Sequence, residues 1–224
     1  MGHSCSKLAV LVAVAAVSLA SPLSAWAESP LPKFDPKDMV PLVHGPNWVD
    51  LDGDGHKDLV MKSRVTANGP HSFSIYTFHV FAKARPFKPG EDKVELLEPQ
   101  ILWYTVLFPD LSPPWGNDSV RIHQGADCIL RDYRLLVSRT KGTFLIEARR
   151  SVGESYSDPA DVTFSTYQLE KGGAKALNEF AFIKTTEFKA SKSYCSVVNA
   201  FKAELGLPGG DPALDDYDYE PTNR

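Results

Sequence analysis

Between positions 50 and 58 the chain reads Asp50-Leu51-Asp52-Gly53-Asp54-Gly55-His56-Lys57-Asp58. Carboxylates stand at loop positions one, three, five and nine, and His56 at position seven can offer its backbone carbonyl. Hard divalent cations take several oxygens at short range, and carboxylates at alternate positions of a tight turn supply them. Gly53 and Gly55 let the backbone bend around an ion. Without a cation, four carboxylates this close would repel one another strongly. The pattern predicts one structural Ca2+ held by Asp50, Asp52, Asp54, Asp58 and the His56 carbonyl. A solvated acidic turn with no ion is the competing account.

Other reactive types are scattered. Cys5 lies near the N-terminus, which leaves Cys128 and Cys195 as an even pair. In an oxidising compartment such a pair predicts a disulfide, and the absence of a C-x-x-C spacing weakens a metal or redox role. His44, His56, His71, His79 and His123 show no H-x-H, H-E-x-x-H or H-x-x-x-H spacing. His71 and His79 would share one strand face about 26 Å apart, too far to hold one metal. No G-x-S-x-G occurs, and Ser72 would point away from His71 on a strand. Asp127, Asp132 and Glu147 are candidate acid–base carboxylates, but ion pairs or surface charges explain them more simply. Arg131, Arg134, Arg149 and Arg150 are candidate anion clamps, with pairing to acids as the plainer account. Trp103, Trp115, Tyr104 and Phe108 are candidate pocket liners; core packing is the simpler reading for Trp103, and a surface role for Trp115. No residue set predicts a catalytic site.

The elements that must position these residues are mostly strands. Lys7, the apolar run Leu8–Ala20 and the small-x-small ending Ser24-Ala25-Trp26-Ala27 predict an export signal over 1–27. Its apolar run is short for a membrane span, and no later stretch is longer, so no span is expected after cleavage. Cleavage would leave 197 residues with 23 Lys plus Arg against 28 Asp plus Glu, a net charge of −5. That argues against a nucleic-acid partner, which wants a basic face. The signal predicts a bacterial periplasmic or secreted protein. Residues 28–46 hold Pro30, Pro32, Pro36, Pro41 and Pro46 and read as a linker.

Residues 47–206 read as a single calcium-bound β domain. Lys57–Val65, His71–Phe81, Ile101–Phe108, Ala126–Ser138, Thr143–Arg149 and Asp161–Leu169 have strand character. His71–Phe81 is apolar on both faces and predicts a central strand packed on two sides. Cys195, Val198, Phe201 and Leu205 fall at helical spacing, closed by Gly206 and Pro208. Residues 207–224 are acidic, poor in apolar side chains and expected to be disordered. The predicted fold is mainly β: a sandwich or barrel-like antiparallel domain of roughly seven to nine strands with one C-terminal helix.

The D-x-D-G-D-G-x-x-D pattern resembles two calcium-loop families. A helix–loop–helix calcium hand needs Glu at position twelve, where this chain has Met61, and its flanks are helical where Asn47-Trp48-Val49 and Leu59-Val60-Met61 read as strands. The loop more closely resembles the β-hairpin calcium loop of integrin α-chain repeats, the FG-GAP type, over Asn47–Met61. That family's propeller needs several copies, and one is present. The runs HSFSIYTFHVF, GADCILRDYRLL and DVTFSTYQL, with the Asp–Gly loop and the export signal, are similar to periplasmic carbapenem self-resistance proteins of the CarG type, over residues 47–170. That resemblance implies a non-hydrolysing protein that protects against β-lactams, without naming the residues responsible. The expected function is an exported, calcium-stabilised, non-enzymatic binding protein in carbapenem (antibiotic) resistance, with a small molecule such as a β-lactam or another envelope protein as partner. The alternatives are a secreted hydrolase with dispersed acid–base carboxylates and an envelope interaction module with a structural calcium.

Overall fold

The computed structural model describes residues 33–65, 73–82, 102–110, 118–124, 128–153, 155–172 and 180–209. The predicted export signal, His71, Trp115, Asp127 and most of the acidic tail lie outside these residues. The described strands are β1 (Met39–Val40), β2 (Gly45–Val49), β3 (Asp58–Val65), β4 (Phe73–Ala82), β5 (Leu102–Thr105), β6 (Val120–Arg121), β7 (His123–Gln124), β8 (Ile129–Ser138), β9 (Gly142–Arg150), β10 (Val162–Lys171) and β11 (Phe180–Lys189), followed by helix α1 (Val197–Leu205). They form two antiparallel sheets. A six-stranded sheet runs β1-β8-β9-β10-β11, with β7 also on β8; a five-stranded sheet runs β2-β3-β4-β5, with β6 also on β4. The mainly β sandwich read from the sequence is what the chain forms. The three two-residue strands β1, β6 and β7 raise the count above the expected range, because pairing with a longer strand, and not a strand-like run of their own, defines them.

Alternation places one face of each sheet in a shared core. Val60, Tyr76, Phe78, Val80, Val106 and Phe108 meet Tyr133, Leu135, Leu145, Tyr167, Phe180 and Phe182. The opposite face of the six-stranded sheet is also covered. Leu136, Ile146, Ala148, Val162 and Phe164 pack under Val197, Ala200, Phe201 and Leu207 of the helical segment. The strand packed on both sides is therefore not β4, as the sequence suggested, but the β8–β10 set. In β4, Tyr76, Phe78 and Val80 are buried, while Phe73, Ile75, Thr77, His79 and Phe81 are only half-buried on the other face. The helix supplies the missing cover, and it sits on the other sheet.

The two sheets are joined where single strands cross between them. Val106 N–H donates to Phe78 O in the five-stranded sheet, and Leu107 then bonds β11 in a parallel bridge, with Leu107 N–H to Phe180 O at 3.2 Å and Phe182 N–H to Leu107 O at 2.8 Å. Likewise β6 pairs β4 in one sheet and β7 pairs β8 in the other, two residues later. Such crossings make the corners of a sandwich.

Helix α1 begins at Ser196, whose hydroxyl accepts from Val198 N–H, and ends at Gly206 in the left-handed region. Cys128 and Cys195 form a disulfide with Cα atoms 5.6 Å apart, which ties the start of β8 to the residue before that cap. Two buried arginines complete the attachment. Arg134 lies over the Phe201 ring, pairs with Asp132 and donates to Pro208 O at 2.8 Å. Arg150 gives all its bonds to carbonyls, those of Ser151, Val152, Ser155, Tyr156 and Cys195. Burial lowers its pKa, with the charge of Asp158 opposing.

The domain is wider than residues 47–206. It starts at Phe34. Within the segment read as a linker, Pro36–Asp38 form a 3-10 turn capped by Asp35, β1 pairs β8 and Leu42 is buried. At the other end Leu207 is fully buried, so the packed chain runs past the expected start of the tail. Proline forbade a helix here, but not strand pairing at a sheet edge.

Candidate functional site

The Asp–Gly loop is the turn of the β2–β3 hairpin, which closes with Val49 opposite Asp58. A hairpin, not a pair of helices, carries it, as the flanking residues predicted. Gly53 (φ 77°) and Gly55 (φ 87°) occupy the left-handed region that the turn requires. Asp50 accepts from Gly53 N–H and Gly55 N–H at 2.9 and 3.1 Å, and Asp52 accepts from Asp54 N–H at 3.2 Å. Asp58, 0% exposed, accepts from Leu51 N–H at 2.6 Å and from Phe81 N–H of β4 at 2.8 Å. The loop is anchored across the sandwich as well: Thr143 of β9 donates to Leu51 O at 2.6 Å.

These bonds gather Asp50, Asp52 and Asp58, whose nearest carboxylate oxygens lie within 4.8 Å of one another. Asp54 lies beside this trio and not within it, its side chain next to that of Asp52. It accepts from His56 N–H at 2.7 Å and lies 3.1 Å from His56 Nδ1, and the His56 ring packs 5.7 Å from Phe81. The electrostatics divide the same way. Desolvation raises the pKa of Asp58 and of Asp52, and neighbouring carboxylates add to it. The His56 N–H bond lowers that of Asp54. A cation within the trio would offset the cost of the two raised groups. Three carboxylates, one of them fully buried, are a hard-oxygen donor set suited to a divalent ion.

The other candidates are placed individually. Cys128 and Cys195 are joined as expected. His44 is exposed. His79 bonds Thr77 at 3.0 Å and Thr105 at 3.4 Å, and burial lowers its pKa. Arg134 and Arg150 are structural, and Asp132 belongs to Arg134. Phe108 is core, stacked on Phe182 at 5.3 Å, and Tyr104 lies 6.2 Å from Phe180. Trp103, for which core packing was the simpler reading, is 40% exposed, and beside it, 6.0 Å away, Trp48 is 55% exposed. Both lie on the outer face of the five-stranded sheet, where Trp103 packs on Phe81.

One grouping was not assembled from the sequence. Glu147 of β9 is buried and accepts from Tyr133 Oη at 3.3 Å and Tyr167 Oη at 3.1 Å, with Arg131 Nε at 3.1 Å. Burial and the Glu147 charge push both phenols well up, so they stay protonated donors. The available signal was the acid inside the otherwise apolar run Phe144-Leu145-Ile146-Glu147-Ala148.

No protein-family model matches the chain, and no curated protein matches it. Among solved structures, the crystal structure of CarG matches with a TM-score of 0.57 and 21% sequence identity, over 74% of this chain and 94% of that one. At that identity the likeness is one of fold. Among the described residues no helix is long and apolar enough to cross a membrane.

Proposed function

We propose that this chain is an exported, calcium-stabilised β-sandwich that binds β-lactams, carbapenems above all, without turning them over. The observation that supports this most is the shared fold with CarG over most of both chains, joined to the sequence segments that resemble carbapenem self-resistance proteins. The Cys128–Cys195 disulfide is compatible with an oxidising compartment. The Asp50–Asp52–Asp58 trio supports an ion at the hairpin, and its hard oxygens favour Ca2+. In the bound state Asp54 and the His56 carbonyl complete the ligand set, as their positions in the loop predict.

The test is expression of the full chain in a carbapenem-susceptible bacterium, with thermal shift and mass spectrometry on the purified protein. A raised inhibitory concentration, a raised Tm with carbapenem and recovery of intact drug are expected. Ring-opened product, or no protection and no shift, would overturn the reading. Elemental analysis should return one calcium per chain.

A second reading, an envelope interaction module, is favoured by the exposed Trp48–Trp103 pair on the sheet face. Under that reading Trp48→Ala together with Trp103→Ala would abolish protection while leaving carbapenem-induced shifts unchanged.

A further inference from the structure

Along β8 and β9 the core-facing side of the six-stranded sheet changes character in steps of two residues. Leu135 and Leu145 are core. Next come Tyr133 and Glu147, buried but polar, in register with Ser165 and Glu187. At the rim stand Arg131 and Arg149, directly opposite each other, in register with His123 on one side and Thr163 and Lys189 on the other. Exposure rises along the same path: Glu147 is buried, Arg131 has a side chain 35% exposed, and Arg149 and Lys189 are exposed.

Two arginines opposite each other on neighbouring strands are unfavourable unless something negative lies between them. Glu147 answers only part of this charge. It engages Arg131 through Nε, one of five guanidinium N–H donors. Arg149 makes no close ion pair among the described residues, although Glu187 feels its charge. Glu187 is held by Lys184 and by the Ser165 hydroxyl. Among the described residues four cations (Arg131, Arg149, Lys184, Lys189) thus stand against three carboxylates (Glu147, Glu187 and Asp110, which accepts from Lys184 N–H) on a chain whose net charge is negative. The tyrosine bonds fix Glu147, and Glu147 fixes Arg131, so the guanidinium is braced from behind.

We propose that this rim is an oxyanion-binding site, in which Arg149 and the terminal amino groups of Arg131 take the carboxylate of a small organic ligand. Glu147 is a positioning residue: it orients Arg131 and does not touch the ligand. The proposal rests on the β-lactam reading for the ligand's identity, since every carbapenem carries a carboxylate, but not for the site itself. Paired charge-assisted bonds from two guanidinium groups give such a site its geometry and its selectivity for a planar anion.

The experiment is a titration of the full mature chain, followed through arginine Nε–Hε resonances, with three probes: a carbapenem, the methyl ester of the same carbapenem, and benzoate. The free acid is expected to bind about tenfold or more tighter than the ester, with the Arg131 and Arg149 resonances shifting. Arg149→Gln, at an exposed position, should erase the difference between acid and ester without lowering Tm, and Arg149→Lys should restore part of it. Arg131→Lys serves as a second variant that keeps a cation beside Glu147. If the carbapenem binds wild type and Arg149→Gln equally, the site is wrong while the β-lactam reading survives. If the carbapenem does not bind but benzoate does, and Arg149→Gln abolishes that binding, the site stands and the β-lactam reading fails. If no carboxylate shifts either arginine, the site is overturned.

Discussion

The β2–β3 loop and helix α1 are both peripheral to the same sandwich, and they are fastened by opposite means. The helix is held by a covalent bond, by two buried arginines on backbone carbonyls and by an apolar face against β8–β10. None of these needs a dissolved cation. The loop is held by carboxylates that bond their own backbone and crowd one another, two of them with raised pKa values. Its stability is conditional on a cation or on protons. One protein thus contains a permanent attachment and an adjustable one, on different sheets.

The largest expected effect breaks the permanent side. The disulfide closes a loop with a sequence separation of 67. The chain-entropy relation gives about 4 kcal/mol for that length, or roughly 10 °C in Tm for a chain of this size. Calorimetry of the double Cys128→Ser, Cys195→Ser variant should show that loss, and a Tm unchanged by reductant in wild type would contradict it. Next is the loop's buried anchor. Asp58→Ala strips the acceptor from the buried Leu51 N–H and the partly buried Phe81 N–H, and should cost about 3 kcal/mol in urea unfolding. Asp54→Ala, whose exposed carboxylate meets His56 and Asp52, should cost less than about 1 kcal/mol without the ion. Equal losses would remove the distinction between the trio and Asp54.

Calcium at a hundredfold above its Kd should add about 2.7 kcal/mol, reversed by chelator, with hydrogen exchange slowed in the loop and unchanged in α1. The smallest effect is in pH. Glu204 of α1 meets desolvation that raises its pKa, but bonds from Ser191 and Tyr194 outweigh it and the net shift is downward. Its contribution is present above the unfolded carboxylate range, near pH 4, and is lost as pH falls through the folded value. Asp52 and Asp58 are raised, so in ion-free protein their contribution is full below the unfolded range and is lost as pH rises through the folded values. Acidification should therefore loosen the helix end and tighten the ion-free loop, read by residue-resolved exchange. Loosening at both ends would refute the contrast.

What could be read from the sequence was what is local. The loop's candidate ligands fall within nine residues, so spacing alone located them, and the hairpin followed from Trp48, Val49, Leu59 and Val60. The helix was legible from its three-and-four steps and from Gly206. The disulfide followed from parity and compartment, although its partners are far apart in sequence. What stayed hidden depends on neighbours the chain acquires only when folded. Trp103 looked like core because its own run, ILWYTVLF, is apolar, and nothing local said that its sheet face would stay open. Arg150 looked like an anion clamp because five carbonyls from residues 151–156 and 195 cannot be seen in a charge pattern. The Glu147 cluster draws on three strands, so its members are 14 to 20 residues from the acid.

Leu107 fixes a dimension. Its amide and carbonyl are both committed to β11, while the residue before it is committed to β4. Sliding one sheet over the other at that corner would break both bonds. The spacing of the two sheets at that corner is thus gauged by one peptide unit.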